Sequence, residues 1–363
     1  MEFRINRLSF EKILNSVVKL IPPKSTHTVL QNIILETKDN KLNIEGTDLD
    51  VFVKKTISCD VKKEGKALLP GKKLLEIARE SNTEDLTFKL KELNLQIIAG
   101  NAQFNIPALD YNEFPETPSF PSKKWITLLT EEMNNMVDST IFMVSKDLSR
   151  RAMNGVLLQV KENTLNMVTT DGARLALYRK EIDAENGELI IPPKLFELLE
   201  IDKPEENIEI FIEERMIGLK FSTTIIIARL IEGPYPNYES VIPKVFPGTC
   251  RIEKEILGGA LKRVSLVSSP TVRNVKFDFL GDKLLLSASS PDGEAKEEIV
   301  CNYEGEKMAI WYNASFLLEI IRHIPSTDII LQLTSPSTAS MIRPKDLDNL
   351  IYLLMPLRID SYE

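Results

Sequence analysis

The feature that most constrains this chain is a long internal period, because a repeat changes how every shorter segment must be read. Asn32 opens the apolar run Asn32-Ile33-Ile34-Leu35, Asn154 opens Asn154-Gly155-Val156-Leu157-Leu158, and Asn274 opens Asn274-Val275-Lys276-Phe277, at offsets of 122 and 120 residues. A turn after the next strand repeats as Gly46-Thr47-Asp48, Thr169-Thr170-Asp171-Gly172 and Ser290-Pro291-Asp292-Gly293, with Asp offsets of 123 and 121. Near each unit's end stands an aromatic or apolar residue before proline: Phe114-Pro115, Tyr235-Pro236 and Met355-Pro356, with proline offsets of 121 and 120. Independent anchors that share one spacing predict three tandem domains near the commonest domain size: 1–120, 121–246 and 247–363. The Pro-rich joints at 114–122 and 234–248 are the expected boundaries.

Each unit divides again into two strand-helix-sheet modules, so the expected class is α+β. A short strand runs into an amphipathic helix between Phe3 and Leu20, where Leu8, Ile13, Val17 and Leu20 recur at helical spacing and Ser9 is placed to cap the first turn. The layout returns between Ala67 and Glu80, with Leu74, Leu75, Ile77 and Ala78 on the helix. In the second unit it recurs between Trp125 and Val144, with Thr130 as cap, and between Leu189 and Ile201, with the helix opening at Pro192-Pro193. The third unit carries it between Cys250 and Val267 and between Met308 and Ile324, with Asn313 as cap. The intervening stretches alternate as strands and tight turns, as in Leu42-Asn43-Ile44-Glu45-Gly46.

Composition excludes several function classes. The 363 residues carry 45 Lys plus Arg against 53 Asp plus Glu, a formal net charge of −8, so the whole chain is not a simple basic nucleic-acid binder. No apolar run is long enough to span a bilayer and the N-terminus lacks the layout of a signal peptide, so no membrane association and a cytoplasmic location are expected. Only His27 and His323 are available for histidine chemistry, and Cys59, Cys250 and Cys301 form no metal-binding pattern. The segment from Gly65 to Lys73 resembles a phosphate loop but has five residues between its glycines instead of four, and Lys73 where a metal-binding hydroxyl is required. No catalytic residues, no metal site and no cofactor are therefore expected. Asp48, Asp171 and Asp292 invite a hydrolase reading, but they recur at one repeat position, which favours a turn role with the side chain accepting from backbone N–H groups.

Repeats that each hold a helix against a sheet place their helices on one side, and end-to-end stacking yields a curved layer. Basic residues lie on or beside those helices: Lys12, Lys19, Lys24, Lys72, Lys73, Lys146, Arg150, Arg151, Lys194, Lys262, Arg263 and Arg273. Lysines and arginines also simply solvate exposed helix faces, so it is the repeated location that lifts this set. An acidic protein with a basic inner edge can surround a polyanion through phosphate attraction, without reading sequence. The same repeats would also serve an interaction scaffold that binds no DNA, and solution mass separates the two, since a stable monomer could not encircle a duplex.

Over nearly its full length the chain resembles the bacterial DNA polymerase III β subunits, the sliding clamps. The likeness rests on Gly46-Thr47-Asp48-Leu49, on Thr169-Thr170-Asp171-Gly172-Ala173-Arg174-Leu175-Ala176, on Tyr235-Pro236-Asn237-Tyr238 with Val241-Ile242-Pro243, and on the terminal Tyr352-Leu353-Leu354-Met355-Pro356-Leu357-Arg358. The resemblance implies three DNA-clamp domains per protomer, a head-to-tail homodimer closed into a ring around duplex DNA, and a processivity role without chemistry. It implies as partners the DNA polymerase III α subunit, the clamp loader complex, and mismatch-repair, ligase and translesion polymerase proteins that dock through a short linear motif. The implied peptide pocket comprises Met153, Thr170, Gly172, Arg174, Leu175, Pro236, Val241, Leu353, Met355, Pro356 and Leu357, a set whose adaptable Met and apolar Leu and Pro suit short anchors. Read without the resemblance, the terminal apolar string equally suits a core strand. The implied DNA contacts are Lys24, Lys73, Arg150, Lys194 and Arg273. Departures from the family pattern are Ala173 where many members carry His, Ser240 where some carry a basic residue, Lys24 in place of a frequent Arg, and a tail running on past Arg358.

Overall fold

The computed structural model describes residues 1–22, 27–199 and 206–358. Its six α-helices among these residues each follow a strand: α1 (Arg7–Leu20), α2 (Gly71–Glu80), α3 (Thr130–Thr140), α4 (Lys194–Glu197), α5 (Lys254–Val264) and α6 (Ala314–His323). The six strand-helix modules read from the sequence are thus present as three tandem pairs. None of these helices is long and apolar enough to cross a membrane.

Two compact units emerge from the packing, one formed by 1–134 with 191–230 and the other by 135–190 with 231–363. In the first unit a five-stranded sheet orders Asp60–Lys63, Glu2–Asn6, Asp85–Lys91, Asn94–Ala99 and Ala102–Pro107. Its eight-stranded sheet joins four strands of the middle third of the sequence to four of the first third. The seam is the antiparallel pairing of Thr224–Arg229 with Val51–Ser58, in which Ile227 faces Phe52. In the second unit a nine-stranded sheet is seamed in the same way, by Arg174–Glu181 against Leu350–Leu354, with Leu175 opposite Leu353. A four-stranded sheet orders Gly293–Val300, Lys283–Ser290, Asn274–Phe279 and Met308–Asn313.

Helix burial departs from the sequence expectation in α1. Phe10, Leu14, Val17 and Leu20 form its buried stripe, whereas Leu8 is 62% exposed. The helix begins one residue after Asn6, whose side-chain oxygen accepts the Ser9 N–H at 3.0 Å. Asn6 is therefore the cap and Ser9 lies inside the first turn, and the apolar stripe runs through Phe10 and Leu14 rather than Leu8. Phe10 packs edge-on against Phe88, which stacks on Phe3 at 4.6 Å, and each such buried ring contributes roughly 1.5–3 kcal/mol. In α6 the expected cap holds: the Asn313 side chain accepts from the N–H groups of Ser315 and Phe316. Thr130 is the first residue of α3 and donates its hydroxyl to the Glu206 carbonyl at 2.9 Å. Helix α4 is a single turn, shorter than the pattern up to Ile201 predicted; Ile201 itself lies outside the described residues.

Candidate functional site: an apolar cleft beside a repeated turn

The repeated Thr-Asp turn has one hydrogen-bond scheme at two places. In the first copy Thr47 donates its hydroxyl to the Val51 carbonyl at 2.8 Å and accepts the Leu49 N–H at 2.9 Å, while the Asp48 carboxylate accepts the N–H groups of Asp50 and Val51. In the second, Thr170 donates to the Arg174 carbonyl at 2.7 Å and accepts the Gly172 N–H at 3.1 Å, and Asp171 accepts from Ala173 and Arg174. In the third, Ser290 accepts the Asp292 N–H at 3.2 Å. Asp48 and Asp171 thus perform the turn role read from the repeat. Among the described residues no group of three or more His, Cys, Asp or Glu is placed to hold a metal.

Beside the second turn lies a cleft of about 310 Å³ within the second compact unit. Nine of the eleven sequence-predicted pocket residues line it: Met153, Thr170, Gly172, Arg174, Leu175, Pro236, Val241, Leu353 and Met355. Leu175 and Leu353 are buried at its base, and Met355 and Val241 stand exposed at its mouth. Pro356 and Leu357 are not part of the lining. Pro356 is buried, and the Leu357 N–H donates to the Trp311 carbonyl at 2.8 Å, so the chain turns away from the cleft after Met355. The lining also includes Ala173, the departure from the family pattern expected at the rim, together with Arg150, Asn237, Tyr238 and Ala339, which sequence reasoning did not place there. Arg150 stands three residues before Met153 at the same short turn and could have been found from that spacing. Ala339 is brought in by the sheet and carries no local signal.

Each wall is fixed by its own contacts. The side-chain amide of Asn154, one of the repeat anchors, donates to the carbonyls of Ser145 at 2.7 Å and Asp147 at 2.9 Å, which holds the turn that presents Met153. The Met355 N–H donates to the Ala173 carbonyl at 2.9 Å and extends the seam to the cleft edge. Tyr238 donates its hydroxyl to Gln159 at 2.8 Å, and burial pushes its phenol up to about 12. Burial likewise raises the Tyr235 phenol, which donates to the Val168 carbonyl. Neither phenol is an acid at neutral pH; both are anchors.

Gly172 adopts φ +90°, a conformation costly for residues with a Cβ, and a methyl group there would stand 2.6 Å from the Arg150 guanidinium and 3.4 Å from the Met153 methyl. The Arg174 guanidinium, 9% exposed, is held by Asp171 at 2.9 Å and Glu319 at 2.6 Å and lies 4.5 Å from the Phe316 ring centroid. It supports the rim rather than offering a loose cation. The chemistry available is apolar burial beside a few backbone groups, suited to seating a short peptide.

The five residues expected at DNA are placed differently from one another. Lys73 projects from α2 with 59% of its side chain exposed and pairs with Glu76 at 2.7 Å. Arg273 is exposed at φ +49° just before the strand Asn274–Phe279. Arg150 pairs with Asp147 at 3.4 Å and donates to the Asp171 carbonyl at 3.2 Å at the cleft rim. Lys194 is engaged within the fold, donating to the Asp48 carboxylate and, at 3.1 Å, to the Leu20 carbonyl at the end of α1. Lys24 lies outside the described residues.

Comparison with known proteins agrees with this architecture. The beta sliding clamp of Pseudomonas putida is 28% identical over 99% of this chain and 100% of its own length. That of Vibrio cholerae is 25% identical over the same shares. Among solved structures, a sliding clamp from Pseudomonas aeruginosa bound to griselimycin superposes with a TM-score of 0.94 at 25% identity, covering 99% of this chain and 100% of that one. The DNA polymerase III beta subunit of Thermotoga maritima does so at 0.92 and 26%, with the same coverage. Residues 1–118, 127–237 and 239–358 match, in order, the N-terminal, central and C-terminal domains of the DNA polymerase III beta subunit. With all three domains matched in sequence order along nearly the whole chain, the protein belongs to the DNA polymerase III beta subunits, the sliding clamps.

Proposed function

We propose that the chain works as a replication clamp whose partners are recruited through the cleft beside Gly172. As a member of its family it is a subunit that encircles duplex DNA without sequence specificity, confers processivity on a polymerase and performs no chemistry itself. Two protomers, each with domains at 1–120, 121–246 and 247–363, join head to tail and close the ring. The clamp loader complex opens and closes it. The polymerase α subunit and the mismatch-repair, ligase and translesion polymerase proteins carry a short linear motif that seats in the cleft. The observation that carries this reading is the convergence of Met153, Leu175, Val241, Leu353 and Met355 on one apolar cleft from four separate segments.

Phosphate contacts fall to Lys24, Lys73, Arg150, Lys194 and Arg273, and the net charge of −8 discourages DNA from adhering to the outside. Topological retention is the deciding experiment. After loading, the protein stays on closed circular DNA and is lost from linear DNA; equal dissociation from the two would overturn the ring. A partner-derived peptide that binds equally well after Met355→Ala would overturn the cleft assignment and leave the ring untouched.

A further inference from the structure

We propose that the seam between the first and middle thirds carries a second peptide cleft, the repeat counterpart of the one already described, which takes a single leucine-sized anchor with a neighbouring carboxylate. The inference rests on the reading of the first cleft as a peptide site. The second cleft, about 170 Å³, lies wholly in the first compact unit.

Its walls match the first cleft position by position. Phe52 follows Thr47 by five residues as Leu175 follows Thr170. Ile227 stands opposite Phe52 across the seam as Leu353 stands opposite Leu175. Phe120 follows Pro115 by five residues as Val241 follows Pro236. Phe52, Phe120 and Ile227 all line the second cleft, and Leu175, Val241 and Leu353 all line the first.

The cleft is held open by its own packing. Phe120 lies edge-on to Phe211 with ring centroids 5.0 Å apart, and it sits so close over Gly218 that a methyl group there would stand 2.6 Å from the Phe120 ring. Only glycine lets that ring settle where it forms a wall. The interior is apolar, with Val53 and Ile225 completing it, and the charged lining is the pair Lys54 and Glu45 at 2.9 Å. The Lys54 side chain is 36% exposed against 13% for Glu45, so Lys54 is the more accessible charge of the pair. That asymmetry selects an acidic neighbour for the anchor, and the smaller volume selects one side chain instead of several.

The test uses the full-length protein with methyl-labelled Ile, Leu and Met, titrated with the blocked tetrapeptide acetyl-Asp-Leu-Leu-Ser-amide. Saturable shifts of the Ile225 and Ile227 methyls are expected. They should persist in Met355→Ala, vanish in Thr117→Trp, which fills the exposed mouth, and require several-fold more peptide in Lys54→Gln. Response of Leu353 and Met355 alone would overturn this inference and leave the first cleft standing. Silence at both clefts would overturn both. Ile225 and Ile227 shifts that survive Thr117→Trp, or that grow with protein concentration without peptide, would mark nonspecific contact or self-association and equally end the proposal.

Discussion

Arg174 and Glu319 meet at 2.6 Å although 145 residues separate them, and this pair ties the rim of the apolar cleft to helix α6. The guanidinium also stacks over Phe316 and bonds Asp171, so removing one acceptor leaves a nearly buried cation short of a partner. Glu319→Ala should lower stability by about 1–3 kcal/mol, discounted from the cost of a fully buried pair because Glu319 is itself partly exposed. Chemical denaturation reads this directly, and an unchanged midpoint would mean the pair is ornamental.

At the cleft mouth the outcome should be the reverse. Met355 and Val241 are 42% and 51% exposed, so Met355→Ala with Val241→Ala should leave the unfolding midpoint nearly unchanged. Partner-peptide affinity should nevertheless fall by about tenfold or more, equivalent to roughly 1.4 kcal/mol. Calorimetric titration alongside thermal unfolding separates the two effects. Leu357→Ala serves as the matched control, because its backbone is bound to Trp311 away from the cleft.

Equivalent turn positions hold Leu49 at φ +81° and Gly172 at φ +90°. An L side chain in this region costs on the order of 1–2 kcal/mol. Leu49→Gly should therefore stabilise the protein or leave it level, whereas Gly172→Ala should destabilise it and, by pushing on Arg150 and Met153, weaken peptide binding as well. Equal effects of the two substitutions would show that the strain is not real.

His323 lies flat on Phe142, ring centroids 3.9 Å apart, and burial holds its pKa below the ordinary 6.5. Contacts with the Asp138 backbone and with Glu319 oppose that shift more weakly. The native state therefore binds fewer protons than the unfolded chain between its lowered pKa and 6.5. Stability from this residue is complete above 6.5, is lost as pH falls below it, and levels off once the native pKa is passed. His323→Phe, which keeps the stack, should flatten that part of the curve relative to the parent. Parallel curves would remove the histidine from the account.

Much of this was legible in the residues because a repeat supplies its own controls. The Thr-Asp turns announced themselves by recurring, and their hydrogen bonds bear out a structural role that a lone Asp171 would not have revealed. Helix phase was less legible: Ser9 and Asn6 are both good caps three residues apart, and packing of Phe10 against Phe88 decides between them. The cleft was legible only where its residues flank a motif. Pro356 and Leu357 continue the same apolar string as Met355, but the backbone bond to Trp311 diverts them, and Ala339 arrives through strand pairing over a long separation. Charge was the least legible feature, since nothing in the sequence around Lys194 announces that Asp48 will take its ammonium.

The seams through Phe52 and Ile227 and through Leu175 and Leu353 have a consequence for how such a chain could be cut or built. An isolated middle third would present raw ladder edges on two sides and would be prone to stick to its own kind. Trimming at these junctions should therefore not yield a free-standing bead.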